Sequence, residues 1–323
     1  MYAEQEQNVP DILIRLAERL GTKLKHGRLD IPEKFGRGYC AGFVFNAHIR
    51  LLISNYELHE DIVVENPERN PFKKTIFFKF QHVFPKTEPV AMPAVLIGTS
   101  RINTDEVIAV HSNAGVINIE VDADYLNGLF DLPERHTVLQ SLLDNKQPLL
   151  FEQVINPALQ PIVDVLVEQA VDDKFKLFFL RIKTEELICH LLMALEARDS
   201  QHLYSLNNRD IGAIYRLRGQ LLNRLADPPV IADLAAAAHM SPSKLKRLFK
   251  QIFGDSIFTY YQALRMKEAA RLLREEKLSV KETGYRLGFT NLSHFTRVFD
   301  QHIGVKPKKY SVLQSPVAGL YLN

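Results

Sequence analysis

Cysteine is almost missing from this chain. Cys40 and Cys189 are the only two in 323 residues, far apart and each in an apolar neighbourhood. Two buried thiols in a reducing compartment are therefore expected, with no disulfide frame and no Cys/His zinc set. No apolar run approaches the roughly 20 residues that a membrane-spanning helix needs. The opening stretch Met1-Tyr-Ala-Glu-Gln-Glu-Gln is acidic and polar, unlike a signal peptide, so a cytoplasmic location is expected. Catalytic signatures are missing too. There is no Gly-Lys-Ser/Thr phosphate loop, no serine elbow and no His-x-His pair followed by a carboxylate. His48, His59, His82 and His111 lie one per strand-like stretch and read as structural. The expectation is a protein that is not an enzyme and holds no metal or cofactor.

Net charge is small as well, +2 at pH 7, but its distribution is uneven. Residues 205–323 hold 19 Lys+Arg against 9 Asp+Glu, whereas residues 1–204 hold 21 against 29. A basic module suits phosphate backbones, and an acidic one avoids them. With 46% hydrophobic residues and a mean hydropathy of −0.11, the chain has globular composition and length enough for two domains.

What the basic part contains is one motif written twice. Ser243-Lys-Leu-Lys-Arg-Leu-Phe-Lys-Gln-Ile-Phe-Gly254 and Ser293-His-Phe-Thr-Arg-Val-Phe-Asp-Gln-His-Ile-Gly304 match at an offset of 50 residues. Ser, Arg, Phe, Gln and Gly recur at 243/293, 247/297, 249/299, 251/301 and 254/304. A fixed offset implies a duplicated supersecondary unit. Leu245, Leu248, Phe249, Ile252 and Phe253 fall on one helical stripe, as do Phe295, Val298, Phe299 and Ile303. Ser241-Pro242 and Thr290-Asn291 are start signals, and the glycines are stops.

A short helix and a turn precede each copy, in Val230–Met240 and Leu278–Phe289, with small residues at Ala235 and Gly284 where two helices would press together. The second turn is one residue longer. This is the helix-turn-helix plan. Between the units, residues 258–274 read as one continuous helix of about 25 Å, long enough to hold two recognition helices about one DNA turn apart.

Residues 210–310 resemble the DNA-binding domain of the AraC/XylS family of bacterial transcription regulators. The resemblance is carried by Leu234-Ala235, Ser241-Pro-Ser-Lys-Leu-Lys-Arg-Leu-Phe249, Arg265-Met-x-x-Ala269, Gly288-Phe289, Ser293-x-Phe295-x-Arg297-x-Phe299 and Gly304-Val-x-Pro307-x-x-Tyr310. Gly284 departs from the alanine usual in the family. The resemblance implies a sequence-specific regulator, an activator controlled by a small-molecule effector, with double-stranded DNA, RNA polymerase and a second copy of the chain as partners. Gly36-Arg-Gly-Tyr39 and Ile53-Ser-Asn-Tyr56 resemble the siderophore-responsive branch over a short match. Base contacts are expected from Ser243, Lys246, Arg247, Asn291, Ser293, Thr296 and Arg297, and phosphate contacts from Lys244, Lys250 and His294.

The expected architecture is α+β. Residues 1–204 form an effector-sensing and dimerisation domain, with a β barrel over 36–122 and helices over 123–198; residues 205–323 form an all-α double helix-turn-helix domain. In the N-terminal part Asp11–Leu20 reads as a helix closed by Gly21. Strands are expected at 39–45, 50–58, 74–80, 94–98, 107–111 and 116–121, with a hairpin turn at Ser112–Gly115. Six short strands without long intervening helices suggest an antiparallel barrel or sandwich, and the resemblance implies a cupin-like barrel. Helices are expected at 124–130, 137–143, 157–171 and 175–197, the last two as a dimer surface, then a linker over 199–208. Two enzyme readings compete: a metal-dependent cupin enzyme, and a DNA-repair alkyltransferase carrying the same module. Two isolated cysteines argue against the second, and the missing His-x-His pair against the first.

Overall fold

The computed structural model describes residues 8–65, 74–84, 93–99, 107–110, 113–130, 137–155, 158–198 and 203–312. The chain divides into two compact units, Met1–Leu206 and Asn207–Asn323.

The first unit opens with α1 (Asp11–Leu20), which buries Leu13, Leu16, Ala17 and Leu20 and ends at Gly21. Strands β1 (Arg28–Asp30), β2 (Gly36–Val44), β3 (Ile49–Leu58), β4 (Ile62–Glu65), β5 (Thr75–Gln81), β6 (Ala94–Thr99), β7 (Val107–Val110) and β8 (Asn113–Asp122) follow. Next come α2 (Ala123–Leu129), α3 (Thr137–Asp144), β9 (Leu150–Val154), α4 (Gln160–Glu168) and α5 (Asp173–Glu196). Seven strands form one antiparallel sheet in the order β1-β2-β3-β8-β5-β6-β9, and β4 pairs with β7 in a second.

Alternation along the strands sorts this sheet into two faces. Phe43, Leu51, Ile119, Phe78, Ile97 and Phe151 sit side by side across six strands, all buried, in a core shared with Leu142, Leu187, Leu191 and Leu195. The row on the opposite face runs Gly42, Leu52, Asn118, Lys79, Leu96, Glu152. Burial alone pulls the pKa of Lys79 down there.

The expected α+β class with an antiparallel N-terminal sheet is what the chain forms, and among the described residues β1 and β9 have one partner strand each. Several expectations are corrected. Strands β1, β4 and β9, of three, four and five residues, lie outside the expected set. Ser112 and His111 lie outside the described residues. The rest of the expected turn, Asn113–Gly115, opens β8 and pairs with Glu57–Asn55, while β7 pairs with β4. Helix α4 is shorter than expected because Gln169 turns into the left-handed region (φ 49°) and ends it; Pro157 lies outside the described residues. Residues 199–202 of the expected linker do as well, and Asn207 caps the next helix. Cys40 is buried, but Cys189 is exposed on α5. No helix among the described residues is long and apolar enough to cross a membrane.

The second unit is entirely helical: α6 (Asn208–Asn223), α7 (Ile231–Ala237), α8 (Pro242–Phe253), α9 (Ile257–Arg274), α10 (Val280–Arg286), α11 (Leu292–Ile303) and α12 (Pro307–Tyr310). The duplication survives at the level of single hydrogen bonds. After α7 the amides of His239 and Met240 donate to Ala236 and Ala235, and after α10 those of Gly288 and Phe289 donate to Tyr285 and Gly284. Both are Schellman closures, whose pivot residue must adopt a left-handed conformation. The first pivot is His239 (φ 54°) and the second Gly288 (φ 77°).

A Cβ on Gly288 would lie 2.1 Å from the Ala226 carbonyl oxygen, so backbone would have to move. At Gly284 the obstacle is a Leu292 methyl at 2.7 Å, which a rotamer change can clear. Gly288→Ala should therefore destabilise by at least ~2 kcal/mol. Gly284→Ala should be near neutral, because helix propensity returns up to ~1 kcal/mol. Urea unfolding of the full chain compares the two, and equal losses would contradict this reading.

Lys267, half-buried on α9 with no ionic partner among the described residues, has its pKa pulled by burial to about 8. Unfolded lysine titrates near 10.5. Between those values the unfolded state binds more protons, so stability rises with pH, and the penalty is complete below about pH 8. Lys267→Met should be more stable than wild type at pH 7, by a margin that shrinks towards pH ~10. A margin independent of pH would refute the assignment.

Candidate nucleic-acid interface

Two twelve-residue helices carry the outward residues of the duplicated motif. Helix α8 starts at Ser241, whose hydroxyl accepts from the Lys244 amide at 3.2 Å, with Pro242 in the first turn. It buries Leu245, Leu248, Phe249, Ile252 and Phe253, the stripe read from the sequence, and Gln251 besides. Ser243, Lys246, Arg247 and Lys250 are exposed. Helix α11 buries Phe295, Val298, Phe299 and Ile303; Ser293, His294 and Arg297 are exposed, and Thr296 is half-buried. Both helices end on left-handed glycines, Gly254 and Gly304.

Side-chain chemistry separates the expected contact residues. Lys246, Lys250 and Arg297 have no carboxylate partner among the described residues. Lys244 does: its Nζ donates to Asp210 Oδ1 at 2.8 Å, joining α8 to α6. Asn291 is the N-cap of α11, its Oδ1 accepting from the Ser293 and His294 amides at 2.9 and 3.1 Å. Capping thus already occupies the oxygen that base readout would have used. His294 meets the Phe289 ring edge-on at 5.8 Å.

The first helix-turn-helix packs on α9, and the second on α9 and α12. Tyr260 meets Phe249 in a T-shaped pair at 5.4 Å, and Tyr310 meets Phe299 in the same way at 5.5 Å, again 50 residues apart. Tyr261 donates its hydroxyl to the Leu225 carbonyl ahead of α7, and Arg265 donates to the Leu287 carbonyl at the end of α10.

Sequence reasoning missed Arg209, Arg216 and His239. With Asn207, Asp210 and Lys244 they line a cavity of about 250 Å³ beside the N-terminal end of α8. The available signal was the seven-residue spacing of the two arginines, which puts them on one face of a helix. Among the described residues no group of three or more His, Cys, Asp or Glu side chains could hold a metal ion.

Residues 234–311 match a family described as "Helix-turn-helix domain". The chain is 37% identical over 71 residues to the regulatory protein PchR of Pseudomonas aeruginosa, covering 22% of this chain and 24% of that protein. It is 24% identical over 216 residues to the HTH-type transcriptional activator RhaR of Mannheimia succiniciproducens, covering 65% and 76%. Among solved structures, the C-terminal domain of AraT, a response regulator from Geobacillus stearothermophilus, is 27% identical over 31% of this chain and 83% of that one, with a TM-score of 0.29. The chain spans 24% to 42% of the length of three curated relatives that it matches.

Proposed function

We propose that residues 234–311, which match a helix-turn-helix domain, form an AraC-type DNA-binding domain, and that the protein is a sequence-specific transcription regulator, an activator whose output follows a small-molecule effector held in the N-terminal unit. The observation that carries this reading is the pair of equal recognition helices, capped alike and presenting hydroxyl and cationic side chains from a common rod.

In this reading Ser243, Lys246 and Arg247 from α8, with Ser293, Thr296 and Arg297 from α11, reach base edges in successive major grooves. Lys250 and His294 meet phosphates. Asn291 contributes through its amide nitrogen while its oxygen caps the helix, and Lys244 acts chiefly by fixing α8 to α6. The effector reading draws support from the mixed face of the large sheet, where Lys79 and Asn118 lie among Leu52 and Leu96.

Dimerisation is proposed through α5. Phe175, Phe178 and Ile182 are exposed at helical spacing, with Met193 further along. A second copy packed about a two-fold axis would cover this stripe with its own. RNA polymerase is the further partner that an activator requires.

Nuclease footprinting of the full chain on the DNA flanking its own coding region, with and without candidate metabolites, tests the function. The reading predicts a discrete protected segment, and uniform cutting at all protein concentrations would overturn it. On the protected site, Arg297→Ala should lose about 1–3 kcal/mol of discrimination at one base pair. Lys250→Ala should weaken all sequences alike and lower the salt slope by about 0.9. An even loss across sequences from Arg297→Ala would contradict its role.

A further inference from the structure

We propose that the cavity at the N-terminal end of α8 seats one backbone phosphate of the bound DNA, gripped by Arg209 and Arg216. This rests on the DNA-binding reading above and adds to it a contact outside both recognition helices.

The charge inside the cavity is the first reason. Three side chains of fixed positive charge line it, Arg209, Arg216 and Lys244, against one carboxylate, Asp210. That carboxylate is already committed: one oxygen accepts from Lys244 Nζ at 2.8 Å and the other from the Asn207 amide nitrogen at 2.9 Å. Asp210 is 8% exposed, so this arrangement belongs to the frame of the site. Both arginines are exposed, and among the described residues neither has a carboxylate partner. Two arginines on one helix face, both lining the same concavity, suit a tetrahedral anion that accepts several N–H donors at once.

Position is the second reason. His239 and Met240, from the turn between α7 and α8, form part of the wall, and Lys244 stands in the first turn of α8. The N-terminal end of a recognition helix enters the groove, and the elements around it lie along the sugar-phosphate backbone. A cationic hollow there meets the strand that borders the groove α8 would occupy. Phosphate contacts fix register and carry no sequence information, so this seat sets how α8 is placed and leaves base choice to α8 itself.

A single shared phosphate has a quantitative signature. Each phosphate contact contributes about 0.9 to the slope of log K against log salt. The double variant Arg209→Gln with Arg216→Gln should lower the slope by about 0.9, because it empties the seat, and either single variant should lower it by less, because one guanidinium stays on the phosphate. The double variant should bind its footprinted site and unrelated DNA more weakly by the same factor, roughly ten- to a hundredfold. Arg209→Lys with Arg216→Lys should restore the slope but not the full affinity, since lysine keeps the charge and loses the fork. Phosphate ethylation of the site should reveal one position that blocks the wild type and is neutral in the double variant. Both arginines are exposed, so unchanged urea unfolding is expected and serves as the folding control.

Unchanged slope and affinity in the double variant, with the footprint intact, would overturn this assignment and leave the DNA-binding reading in place. A wild type that leaves no footprint would instead sink the DNA-binding reading. Calorimetric uptake of inorganic phosphate by the DNA-free chain, lost in the double variant while the salt slope stays fixed, would make this a free-anion site and refute the proposal.

Discussion

A buried guanidinium holds the C-terminal unit in register. Arg265 is 6% exposed at the middle of α9, donates to the Leu287 carbonyl and lies 3.9 Å above the Phe289 ring. Burial pulls its pKa down and the Tyr261 phenol pulls it back up. A cation placed there is stable only while hydrogen bonds and aromatic faces replace its water. The groups that replace it are the last carbonyl of α10 and the first aromatic residue of the turn before α11. The second helix-turn-helix is thereby tied to α9 by the closure of its own turn.

The first helix-turn-helix is tied to the same helix by other means. Tyr261 donates to Leu225 ahead of α7, Arg218 Nε donates to Tyr260 Oη at 2.8 Å, and Tyr260 packs on Phe249 and Phe253. Aromatic pairs of this kind contribute about 0.5–1.5 kcal/mol each beyond their buried area. Residues 260, 261 and 265 therefore anchor both units within two turns of α9. That is a short lever with little room to flex, and the spacing between α8 and α11 becomes a property of the rod. The copies differ in their turns: the first pivots on His239 where the longer second one uses Gly288, and glycine meets no Cβ penalty in that conformation.

Much of this was legible because it is local or periodic. The 3.6-residue stripes gave both recognition helices, and the offset of 50 gave their equivalence. Start and stop residues placed their ends to within a residue or two. The hidden features are those that depend on pairing at a distance. Lys244 resembled a free cation until Asp210, 34 residues earlier, came to meet it. Asn291 resembled a reader of bases because capping and base readout draw on the same short amide side chain. In the N-terminal unit, β4 has four residues, too few to show alternation, and its pairing with β7 identifies it. The cavity beside α8 draws residues from α6, the α7–α8 turn and α8, so no single window of sequence contains it.

The claim that two groove-entering helices act as one rigid reader is tested most directly by changing the DNA between their two contact segments. On the footprinted site, inserting about 5 base pairs between those segments turns one away by half a helical turn, and inserting about 10 restores the face but lengthens the gap. A fixed rod predicts that both insertions reduce affinity to that of one segment alone, with protection lost over the other. Undiminished affinity and full protection after either insertion would mean that the two units read independently, and would contradict the account.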